Sequence, residues 1–107
     1  MPKRHGCTGE VACYAAGMSL DQLKTFVAIA EEGTMTAAAQ KLHLTQPPLS
    51  RQLASLEDEL QTKLFARQAR GMRLEPAGEA FLVHAKRILA AVDDAIVAVR
   101  VPSADGP

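Results

Sequence analysis

The 107-residue chain has no tryptophan, three phenylalanines and one tyrosine, so any core must be built mainly from aliphatic side chains. Its two cysteines, Cys7 and Cys13, fall within the first eighteen residues, with no His or Cys nearby at the spacing of a zinc site. Neither a metal site nor a structural disulfide is expected. No apolar run approaches the roughly eighteen residues of a membrane span, and the stretch from Val11 to Ala16 is too short and mixed for the apolar centre of a signal peptide. A cytoplasmic location without membrane association follows as the expectation. There is no net charge either, with 12 Lys and Arg against 12 Asp and Glu, which argues against nucleic-acid binding through bulk positive charge. A catalytic constellation is also missing. His5, His43 and His84 are far apart, and no nucleophile with a base, carboxylate pair or phosphate loop accompanies them, so no enzyme activity and no cofactor are expected.

What is present is a chain of 48% hydrophobic residues, rich in leucine and alanine, which favours helices. Its length suits one core and is too short for a second. Residues 1–18 hold Gly6, Gly9 and Gly17 among scattered polar residues and show no helical period, so a disordered extension is expected. Ser19 and Gln22 then make the S-x-x-Q pattern of a capping box, ahead of Leu20, Leu23, Phe26, Val27 and Ala30 on one helical face. Gly33 suits a left-handed stop. Thr34 or Thr36 can cap a short second helix through Ala37, Ala38, Ala39 and Leu42, which ends near His43. At most four residues later a third helix begins, whose Leu49, Leu53, Leu56 and Leu60 follow the four-three-four spacing of a buried stripe. Two helices joined by so tight a turn make a helix-turn-helix.

After Leu60 the period changes. Lys63, Leu64 and Phe65, and then Met72, Arg73 and Leu74, flank a polar turn from Arg67 to Gly71 and read as two short strands. Pro76 opens a last helix, with Glu75 before it and Glu79 in its first turn, running to about Arg100 before Pro102, Gly106 and Pro107. The organisation is therefore an extension over 1–18, a helix-turn-helix with a hairpin over 19–75, a long helix over 76–101 and a loop tail over 102–107.

Charge is sorted by segment. Glu57, Asp58 and Glu59 run together, while Lys63, Arg67, Arg70 and Arg73 follow with no acid among them. Opposite the leucines, the third helix carries Gln46, Pro47, Ser50, Arg51 and Ala54. Short side chains there let the backbone approach a major groove, Arg51 can pair with a guanine edge and Gln46 with an adenine edge. Pro47 and Pro48 remove two N–H groups from the helix start, so the hydroxyl of a capping Thr45 lacks its usual partners and is free for a DNA phosphate. Because a residue before proline avoids the α region, regular helix could instead begin only at Pro48. Arg67, Arg70 and Arg73, with Gly71 at the tip, would form a basic wing that lies on phosphates or enters a minor groove.

Along the last helix, Phe81, Ala85, Ile88, Val92, Ala95 and Val99 recur at steps of four and three, the spacing of a coiled-coil seam. Leu82, Leu89 and Ile96 repeat every seven beside them. The stripe is wider than one seam needs, so the helix is expected to pack both on a second copy and back on the helix-turn-helix body. A homodimer with two reading helices suits an interrupted palindrome in double-stranded DNA. The competing reading is a truncated interaction module that dimerises with a full-length relative.

Several words in the chain resemble the N-terminal domain of the LysR-type transcriptional regulators. They are Leu23 with Phe26-Val27-Ala28, Glu31 to Ala39, Leu42 to Gln52, Leu56-Glu57, Glu59-Leu60, Leu64-Phe65, Arg67, Ala77-Gly78 and Phe81-Leu82. The resemblance runs without gaps from Leu20 to about Ala95. It implies a mainly α fold, a winged helix-turn-helix of three helices and a β-hairpin, followed by a long linker helix that dimerises. It also implies Thr36, Gln46, Pro47, Ser50, Arg51 and the wing arginines as DNA-contacting positions. This chain has Gln61 where the family usually has Gly, and Glu75 where it usually has Thr. The match starts at about Met18, which makes residues 1–17 an upstream extension, a vector remnant or a misplaced start. The family's ligand-sensing domain does not follow Pro107, so a small-molecule inducer is expected only for a full-length parent.

Overall fold

The computed structural model describes residues 18–100. The extension with Cys7, Cys13 and His5, and the tail from Val101, lie outside the described residues. Four helices and one hairpin follow in order: α1 (Leu20–Glu32), α2 (Met35–Leu42), α3 (Gln46–Leu60), β1 (Phe65–Gln68), β2 (Gly71–Leu74) and α4 (Pro76–Arg100). No helix among these residues is long and apolar enough to cross a membrane.

Local signals set the helix boundaries. Ser19 is extended and its hydroxyl accepts the Gln22 N–H, while Gln22 Oε1 accepts the Ser19 N–H at 2.9 Å, so the capping box is complete. Gly33 stops α1 at φ 85, a conformation that glycine adopts without steric cost. The Thr34 hydroxyl accepts the Ala37 N–H at 3.0 Å, which settles the cap of α2 in favour of Thr34 over Thr36. His43 and Gln61 close α2 and α3 in the left-handed region at φ 59 and 56, which costs each roughly 1 kcal/mol. Gln61 offsets part of that cost by donating its side-chain amide to the Asp58 carbonyl at 2.8 Å. The third helix starts at Gln46, two residues earlier than the pre-proline preference suggested. Both prolines then fall in the first turn, where helix N–H groups have no partner to lose.

The core lies where α1, α2, α3 and the base of the hairpin meet. Phe26, Ile29, Leu49, Leu56 and Leu64 are buried with less than 2% of their surface exposed. Burying Leu49, Leu53 and Leu56 from the third helix contributes on the order of 5–9 kcal/mol before the entropy of ordering is counted. All three phenylalanines form one cluster, with the Phe26 ring centre 5.4 Å from Phe65 and 5.2 Å from Phe81. Two polar ties cross this apolar contact. Gln22 Nε2 donates to Ser55 Oγ at 2.9 Å, and the buried Thr25 hydroxyl donates to Gln52 Oε1. Both fasten α1 to the third helix beside its buried leucine row.

The hairpin pairs Phe65 with Leu74, Ala66 with Arg73, Arg67 with Met72 and Gln68 with Gly71. Its turn is shorter than expected. Arg67 lies inside β1 and Gly71 inside β2, because the Arg67–Met72 and Gln68–Gly71 pairs extend the ladder and leave only Ala69 and Arg70 to reverse the chain. A two-stranded hairpin is marginal alone, and this one is held at three points. Glu57 Oε2 accepts the N–H groups of Leu64 at 2.7 Å and Phe65 at 3.3 Å. The Met72 N–H reaches the Gly33 carbonyl at 2.9 Å, and the Glu75 N–H reaches the Leu64 carbonyl at 2.9 Å. Gly71 must be glycine on two counts, since its φ is 140 and a Cβ there would sit 2.5 Å from the Gly33 carbonyl oxygen.

The last helix, α4, is anchored only by its first half. Gly78 passes so close to the hairpin base that a Cβ would lie 2.2 Å from the Leu64 carbonyl oxygen. Phe81 packs edge-on against Phe26, and Ala85 has no exposed surface. Both therefore contact the body of their own chain, the inward side of the wide stripe. Leu82 and Leu89 are half-buried on the same core. Beyond Leu89 only Val92 keeps partial cover, and Ile96 and Val99 are 43% and 77% exposed. An exposed ion cluster ties the helix to α1: Glu31 Oε2 meets Lys86 at 3.2 Å while its Oε1 meets Lys41 at 3.2 Å. The two ammonium groups, Lys86 more than Lys41, hold the Glu31 carboxyl below the usual carboxylate range.

Candidate nucleic-acid interface

The third helix separates two chemistries. Leu49, Leu53 and Leu56 face inward at 0 to 4% exposure, while Gln46, Pro47, Arg51 and Ala54 are exposed and Ser50 is half-exposed on the other side. Three residues, His43 to Thr45, separate it from α2, so the two helices form a tight pair with the third helix as the outer member. Thr45 holds the cap position at φ −88 and ψ 167 without a side-chain hydrogen bond, so its hydroxyl stays open to an outside acceptor. Thr36, relieved of capping by Thr34, accepts a hydrogen bond from Gln46 Nε2 at 2.7 Å. The two helices thus share one polar surface that includes Thr36, Thr45, Gln46 and Arg51.

The wing stands beside this face across an open cleft lined by Ser50, Ala54, Lys63, Arg67 and Met72, with Glu57 and Glu75 also on its wall. Its three arginines do not share one surface. Directly paired residues lie on the same side of a two-stranded ladder, so Arg67 shares a side with Met72, Phe65 and Leu74, and Arg73 lies on the other with Ala66. Arg70 occupies the turn. Arg67 is therefore the wing arginine nearest Ser50, Arg70 reaches furthest out, and Arg73 points away from the cleft. Among the described residues no carboxylate pairs with Arg51, Arg67, Arg70 or Arg73, whereas the acidic Glu57 is turned inward under the hairpin with its side chain 11% exposed. Neutrality of the whole chain is compatible with unpaired arginines here because several of its acids are paired with lysines: Glu31 and Glu32 with Lys41 and Lys86, and Glu57 with Lys63.

The residues that hold this surface were not all visible beforehand. Glu57 read only as part of an acidic run, and its spacing of seven and eight residues to the N–H groups it accepts is no local motif. Gln22 beyond its capping role, Thr25, Gln52 and Ser55 gave no signal, since polar residues in a helix are ordinarily solvated. Gly78 had one available signal, a glycine in the first turn of a helix, where its conformational cost needs a packing reason.

The sequence pattern of the family described as bacterial regulatory helix-turn-helix protein, lysR family, matches residues 20–79. The HTH-type transcriptional regulator TfdS of Cupriavidus pinatubonensis is 54% identical over 72 residues, 67% of this chain and 24% of that protein. The HTH-type transcriptional regulator BsdA of Bacillus subtilis is 49% identical over 84 residues, 78% of this chain and 29% of that protein. The chain thus spans about a quarter of the length of these two relatives. Among solved structures, the complex of the CbnR DNA-binding domain with DNA is similar at a TM-score of 0.76 and 45% identity, covering 79% of this chain and 98% of that one. The complex of the BenM DNA-binding domain with benA site 1 DNA is similar at 0.75 and 40%, covering 80% and 100%. With the family pattern spanning more than half its length, this chain belongs to the LysR family of bacterial regulatory helix-turn-helix proteins.

Proposed function

We propose that the chain is the DNA-reading head of a LysR-type transcription regulator, binding double-stranded DNA sequence-specifically as a homodimer. The third helix enters the major groove, and the wing meets the backbone or a minor groove. The observation that carries this reading is the exposed face of that helix, polar and small with one free arginine, beside a hairpin whose cations are unpaired. The similar domains in the CbnR and BenM complexes are bound to DNA, and this chain covers almost all of each. Winged helix-turn-helix and linker helix divide at Glu75, the site residues are Thr36, Thr45, Gln46, Pro47, Ser50, Arg51, Arg67, Arg70 and Arg73, and the protein works in the cytoplasm on an interrupted palindrome. A small-molecule inducer belongs to a longer parent of the length its relatives have.

Competition between selected and random duplexes tests the reading. Arg51→Ala is expected to cost roughly 1–3 kcal/mol on the selected site and to relax preference at one base pair. Equal losses on both duplexes would make Arg51 a phosphate contact. Arg70→Ala is expected to flatten the slope of log affinity against log salt by about one unit, because one phosphate contact fewer releases fewer counterions. An unchanged slope would take the wing tip off the DNA. The exposed end of α4 also suits an interaction module, in which case the chain would capture a longer relative and show no preference for any duplex.

A further inference from the structure

Resting on that reading, we propose that Thr36 is a positioning residue: it fixes the orientation of the Gln46 amide and through it selects adenine at one base pair. Thr36 stands on α2, outside the helix that reads, yet its hydroxyl oxygen accepts one N–H of Gln46 at 2.7 Å. It is free to do so because Thr34, two residues earlier, has taken the capping role. Both side chains are exposed on the face toward DNA, while the backbone of each is held by its helix.

A glutamine amide has two N–H groups and a carbonyl oxygen with two lone pairs. One N–H lies on the carbonyl side and forms, with that oxygen, the edge that pairs with adenine: the N–H donates to N7 and the oxygen accepts from the 6-amino group. The other N–H points away from that edge and is the one available to Thr36. Holding it leaves the pairing edge intact and fixes which end donates and which accepts. An untethered amide can rotate to present its NH2 end, whose two N–H groups suit the N7 and O6 acceptors of a guanine. Held in place, the oxygen would face the O6 of a guanine, acceptor against acceptor, so the tether converts a flexible contact into discrimination. A bond between exposed side chains contributes little in water, and its effect appears once the groove has displaced solvent from both groups.

The test uses the full chain and a randomised duplex pool. Selection with the unmodified chain, followed by competition on duplexes changed one base pair at a time, defines the preference, and Gln46→Ala then identifies the pair that Gln46 reads. Thr36→Val keeps the shape and removes the acceptor, and it is expected to lower the adenine-over-guanine preference at that pair about tenfold, within the range of one bidentate contact. The melting temperature is expected to stay as it is, and any loss on random duplex is expected to be smaller than the loss of preference at that pair. Thr36→Ser restores the acceptor and the preference. If Thr36→Val weakens selected and random duplexes equally with the preference intact, Thr36 is a phosphate contact and the proposal fails while the DNA reading stands. If Gln46→Ala changes no base preference, the assignment of Gln46 fails and the proposal with it.

Discussion

Ile88→Asp and Val92→Asp are each expected to convert the chain from dimer to monomer, weakening association by about a hundredfold or more. The argument starts from α4, whose 25 residues extend roughly 37 Å. The body covers only the first half. Ile88 is 40% exposed, and with Val92, Ala95 and Val99 it continues a four-three-four row, with Leu89 and Ile96 beside it. In an apolar seam between two such helices an introduced carboxylate is stripped of water, and an uncompensated buried charge costs about 3–5 kcal/mol. Val83→Asp provides the control. Val83 is 49% exposed but lies about two and a half turns from Val92, on the opposite side of α4, so its dimer is expected to persist. Sedimentation equilibrium reads the outcome, with circular dichroism to show that the helices remain. If the unmodified chain is monomeric at tens of micromolar, the seam is wrong and so is the palindrome that two linked heads would require.

Glu57→Ala is expected to lower stability by roughly 2–4 kcal/mol, seen as a fall of at least about 10 °C in Tm. One carboxylate oxygen accepts the N–H groups of both Leu64 and Phe65, residues whose side chains are almost fully buried. Alanine leaves two donors in a place water reaches poorly, and each unsatisfied donor costs about 1–3 kcal/mol. Glu57→Gln keeps a carbonyl oxygen that can accept from both, so it is expected to recover most of the loss. Asp58→Ala removes the same charge from an exposed neighbour and is expected to change little. A loss at Asp58 equal to that at Glu57 would mean that the acidic run acts through its field and not through these two bonds.

Most of the frame was legible because it is written in local chemistry. Ser19 with Gln22, Gly33, the leucine row of the third helix and Pro76 each act through neighbours a few residues away, where spacing alone determines contact. The exposed polar face was legible for the same reason, as the complement of that leucine row. Long-range contacts were not. Nothing near Phe81 or Ala85 says that the first half of α4 folds back on Phe26 while the second half stands free, because one apolar stripe suits either partner. The hairpin was recognised but its turn was drawn too wide, since Arg67 and Gly71 look like turn residues by type and become strand residues through pairing across the ladder. Separation of Arg67 from Arg73 onto opposite sides is a property of that register and could not be had from composition.

The three points that hold the hairpin, at Glu57, the Gly33 carbonyl and the Leu64 carbonyl, all grip its base and its return strand, and none touches Ala69 or Arg70. The wing is thereby divided into a fixed root and an unencumbered tip. Residues inserted in pairs at the tip would lengthen both strands without disturbing register at the root, adding about 3.4 Å of reach for each pair. Nothing in the helical body would need to be repacked to accommodate them. Length of the wing is thus a variable that this architecture leaves open to evolution and to design, and with it the distance along a groove at which a single arginine is delivered.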